Sequence, residues 1–85
     1  MSTETETPKV QKYFEGLRFR AMHVLSEHSE HLSHEQLALL GQVPMKSTWM
    51  LDNWNDSPKL ALAVMKRVSI LKAQLARLGI SLHVH

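Results

Sequence analysis

Apolar residues recur along the chain with a helical period and divide it into four segments. From Val10 to about Glu27 the positions Val10, Phe14, Leu17, Ala21 and Val24 step by four, three, four and three, which keeps one stripe on an amphipathic helix. Tyr13, Phe19, Met22 and Leu25 widen that stripe beyond what one packed partner needs. Ser33 with Gln36 three residues on forms a capping box, so a second, short helix is predicted from about His34. It should stop at Gly41, a residue type that ends helices in a left-handed conformation. Val43 precedes a proline and so avoids the α region, while Pro44 suits the start of a third helix over about Met45 to Trp54. The cluster Asn53, Asn55, Asp56, Ser57 and Pro58 breaks the chain again, with Asp56 or Ser57 as N-cap and Pro58 at the first helical position.

The fourth helix is predicted as the longest, from about Pro58 to Leu78 and closed by Gly79. Its stripe Ala61, Val64, Val68, Leu71, Leu75 and Leu78 alternates steps of three and four, a seam like that of a coiled coil. Residues 80–85 alternate apolar and polar side chains, which suits a short edge strand or an unordered tail. Residues 1–8 are rich in Glu, Thr and Ser without apolar periodicity and are expected to form a disordered acidic tail. The pattern therefore predicts an all-α, compact four-helix domain over 9–79, with a short C-terminal strand as the one alternative at its end.

Composition narrows the class. The 85 residues are 44% hydrophobic and 21% charged, with three Gly and three Pro, which is the make-up of one small globular domain. There is no Cys, so disulfides, thiolate metal sites and a thiol nucleophile are all excluded. With no long apolar run, the expected compartment is the cytoplasm, without membrane insertion. The net charge of +2 averages an acidic head with a basic tail. From Ser57 to His85 the chain has Lys59, Lys66, Arg67, Lys72 and Arg77 and neither Asp nor Glu. Such asymmetry favours a polyanionic partner, and equally suits cations that solvate an exposed helix face.

Between Ser33 and Trp54 the predicted elements are a capped helix, a glycine turn and a second capped helix, the parts of a helix-turn-helix and also of an ordinary helical hairpin. Leu39-Leu40-Gly41, then Ser47-Thr48-Trp49, then Arg67-Val68-Ser69-Ile70-Leu71 with Leu75 and Leu78, resemble the helix-turn-helix half of the Xre/ParS-type antitoxins over about Leu32 to Gly79. The resemblance implies a small, sequence-specific DNA-binding transcriptional regulator of antitoxin, phage or mobile-element type, and the surplus of apolar positions on the first and fourth helices predicts a homodimer. The toxin-contacting domain of that family has no counterpart in these residues.

On this reading Lys46 meets a phosphate, Ser47 or Thr48 a phosphate or base edge, and Asn53 an adenine edge, because amide side chains pair bidentately with adenine. Gln36 and Gln42 suit backbone contacts, Trp49 is a candidate on the same helix better suited to anchoring the core, and Lys59, Lys66, Arg67 and Lys72, which do not all share one face, suit phosphate neutralisation. In the run His28, His31 and His34 the first two would share a helix face, and His83 and His85 add two more nitrogen donors, but without Cys or an organised His-Glu helix motif neither metal nor cofactor is expected. No nucleophile elbow, phosphate-binding glycine loop or paired carboxylate points to an enzyme. The rival is a small helical protein-interaction module, an adaptor or inhibitor that does not bind DNA; Asp52 and the absence of Arg from the third helix favour it.

Overall fold

The computed structural model describes the backbone of residues 2–82 and the side chains of residues 9–82. Helix α1 spans Ser2–His28 and ends in a 3-10 turn, Ser29–His31; α2 spans His34–Asn53 and α3 spans Pro58–Arg77. Among the described residues there is no strand. The three helices form one elongated body of 45 × 22 × 18 Å. Helix α2 lies between the other two and makes the principal contacts with both.

The stripes read from the sequence are the core. Phe14, Leu17, Ala21 and Val24 of α1 meet Leu40, Val43 and Met50 of α2, and Ala61, Val68, Leu71 and Leu75 of α3 complete the cluster. Val10, Val64 and Leu39 pack at its edge. Each fully buried large side chain contributes about 1.5–3 kcal/mol, so this shared core outweighs any single local preference of the backbone.

That balance decides α2, where the structure corrects the expectation. The second and third predicted helices are one continuous helix, so three helices replace four and there is no turn at Gly41 to build a helix-turn-helix there. Gly41 is helical, and Gly79 is the one described residue with positive φ, at 87°. Pro44 sits inside the helix, where it removes one hydrogen bond and crowds the carbonyl four residues back. The reason is register. Leu40, Val43, Ser47 and Met50 step by three, four and three straight through Gly41 and Pro44, and all four are buried. A break at Gly41 would put the second half of this stripe out of phase with the first.

The other boundaries follow their signals. Ser33 caps α2 with both arms of the box formed: its Oγ accepts from the Gln36 amide at 3.1 Å, and Gln36 Oε1 accepts from the Ser33 amide at 2.7 Å. Pro58 opens α3, with Ser57 in the N-cap position although its side chain makes no cap bond. At the far end the Ile80 amide donates to Leu75 O at 2.8 Å and the Gly79 amide to Ala76 O at 3.1 Å, the paired closure that a left-handed glycine permits.

Two terminal expectations change. The backbone of α1 begins at Ser2, within the segment expected to be an unordered acidic tail. Beyond α3, Ile80 and Leu82 are buried and Ser81 is exposed. The alternation is therefore real, but it seats two side chains in the helical core instead of pairing with a strand. His83, Val84 and His85 lie outside the described residues.

Candidate nucleic-acid interface

With 34–53 as one helix, the residues singled out on it do not share an outward face. Gln36 is occupied by the capping box, and its Nε2 also donates to Leu78 O at 2.8 Å, joining the start of α2 to the end of α3. Gln42 is half-buried and donates to Ala38 O at 3.5 Å, a weak intrahelical contact. Asn53 is half-buried with its Nδ2 donating to Trp49 O at 3.0 Å, so its amide group is held against its own helix. Trp49 is half-buried against the core.

Ser47 departs furthest from expectation. It is 0% exposed and its Oγ has no hydrogen-bond partner. A hydroxyl in that position reaches neither a phosphate nor a base edge, and its burial without a partner costs about 1–3 kcal/mol. Thr48, beside it, is exposed and accepts from Arg18 Nη1 of α1 at 3.2 Å. Lys46 is half-buried and, with Met45, Trp49 and Val64, lines an open cleft of about 260 Å³ between α2 and α3.

The remaining candidates, Lys59 and Lys66, are exposed on α3. Arg77, also exposed, completes their row, because intervals of seven and eleven residues are close to two and three helical turns. The row runs about 27 Å along the helix at 1.5 Å per residue. Arg67 is exposed too but lies about a quarter turn off this row, and Arg77 is not among the four cations expected to meet phosphate; the signal that finds it is the spacing, counted in turns. Lys72 is turned away. Its Nζ donates to Tyr13 Oη at 2.8 Å and stands 5.3 Å from the centre of that ring, tying α3 to α1.

No protein-family model, curated protein or solved structure matches this chain.

Among the described residues no group of three or more His, Asp or Glu side chains is placed to hold a metal ion, and no helix is long and apolar enough to cross a membrane. A second open cleft, of about 280 Å³, brings Arg20, His23 and His28 of α1 against residues 79–81.

Proposed function

We propose that the protein is a DNA-binding transcriptional regulator of antitoxin, phage or mobile-element type, which grips the duplex backbone with α3. The observation that carries this reading is the exposed row Lys59, Lys66 and Arg77 on a helix without a single carboxylate. Positive charge in a line tracks phosphates, and their neutralisation releases counterions, so affinity must fall steeply with salt. Thr48, exposed on α2, remains available for a polar contact, whereas Ser47 takes no part. The regulator is proposed to act as a homodimer, which sedimentation equilibrium tests directly.

Retention on a nonspecific duplex at low salt, measured across a salt series, is the deciding experiment. Each of Lys59→Ala, Lys66→Ala and Arg77→Ala should weaken binding to all duplexes alike and lower the salt slope by about one. A wild-type chain that shows no salt-dependent retention removes the reading. Selection from a random duplex pool then tests sequence specificity.

A protein-interaction module is the second reading, favoured by a specific observation. Leu60, Leu62, Met65 and Ile70 of α3 are 58%, 62%, 43% and 47% exposed, more apolar surface than phosphate contact uses.

A further inference from the structure

The outward side of α3 has a second seam. Leu62, Met65, Ser69, Ala73 and Ala76 step by three, four, four and three, and all five are exposed. At 100° per residue this row lies about a third of the circumference from the buried seam of Ala61, Val68, Leu71 and Leu75. It is about 21 Å long. Leu62 and Met65 supply apolar knobs, and the small side chains of Ser69, Ala73 and Ala76 leave room for another helix to come close. Such a row, on a helix already fixed by its other seam, is the shape of a helix-docking site.

Charge selects the occupant. Along one edge of this seam run Lys59, Lys66 and Arg77, and from Ser57 to the end of the chain there is no Asp or Glu to oppose them. A second copy of α3 laid antiparallel in the seam would set this cationic row against itself, and laid parallel would set it against a flank without any acidic residue, so self-pairing finds no opposite charge in either orientation. A helix with Glu or Asp beside its apolar stripe would instead meet each cation with an opposite charge. We infer that α3 docks an acidic amphipathic helix of a partner protein through Leu62, Met65, Ser69, Ala73 and Ala76. This goes beyond the regulator reading, and it makes the partner helix and the duplex competitors, because both use the same three cations.

The test uses the full chain and two synthetic helical peptides of three heptads. They share Leu and Ala on the apolar stripe and differ only in having Glu or Lys beside it. Titration followed by backbone amide shifts should show the Glu peptide binding at low salt, with shifts centred on residues 62–76, and the Lys peptide not binding. Leu62→Asp with Met65→Asp, both on the exposed side, should weaken binding at least tenfold while the thermal melt stays in place. Lys59→Glu with Lys66→Glu should reverse the preference toward the Lys peptide, a readout that does not depend on the apolar variant folding.

Equal binding of both peptides, or shifts centred on α1, overturns the inference. So does preferential partition onto phosphatidylserine vesicles, or self-association that Leu62→Asp abolishes. Peptide binding without duplex binding removes the regulator reading alone. Duplex binding without peptide binding removes this inference alone.

Discussion

Helices α2 and α3 are both 20 residues long and carry comparable apolar stripes, yet they treat Gly and Pro in opposite ways. In α3 the proline stands at the first turn and the glycine just beyond the last, where each conformation is free of strain. In α2 both fall inside, at Gly41 and Pro44, and the buried face also carries the unpartnered hydroxyl of Ser47. One helix agrees with its punctuation and the other overrides it. Gly and Pro fix boundaries where the apolar stripe also ends, but where the stripe continues through them they only subtract from stability.

The contrast can be broken in graded steps. The largest effect is expected in the seam of α3, where Leu71 is fully buried: Leu71→Ala should destabilise by about 2–5 kcal/mol in denaturant unfolding. A loss under about 1 kcal/mol would mean that α3 does not pack as described. Next, Pro44→Ala should stabilise by up to about 3 kcal/mol by restoring a hydrogen bond and removing the ring's clash, while Pro58→Ala at the start of α3 should change little. A destabilised Pro44→Ala variant would show that the helix breaks there. Ser47→Ala should stabilise by about 1–3 kcal/mol, since it deletes a buried hydroxyl that has no partner. Smallest is the glycine pair, which should move in opposite directions. Gly41→Ala gains about 1 kcal/mol, because the space around its position is open and its φ is not positive. Gly79→Ala loses about 1–2 kcal/mol at its φ of 87°. Equal signs would reduce the two helices to one case.

The stripes of α1 and α3, the Ser33–Gln36 box and the Gly79 closure were legible because local preference and tertiary packing point the same way at each. At 41–44 they conflict. Each local signal there is worth about 1–3 kcal/mol, whereas keeping Leu40, Val43 and Met50 in register with α1 and α3 involves about 1.5–3 kcal/mol per side chain. The candidate site suffered the same fate. Ser47 reads as outward only if a new helix starts at Pro44; with one helix it stands four residues from Val43 on the buried stripe. Lys59 and Lys66 need no such continuity, since α3 begins and ends where its signals predict, and both are exposed as their positions opposite the stripe require.

The Gln36 side chain has a consequence for hydrogen exchange. The backbone link at 54–57 joins α2 to α3 at one end, and the 2.8 Å bond from Gln36 to Leu78 O clasps them at the other. The same amide group completes the cap of α2, so loosening the last turn of α3 also loosens the first turn of α2. Amides at these two ends, 42 residues apart in sequence, then open as a single cooperative unit and exchange with matching protection. Gln36→Glu, which keeps the cap acceptor and removes the donor, uncouples them.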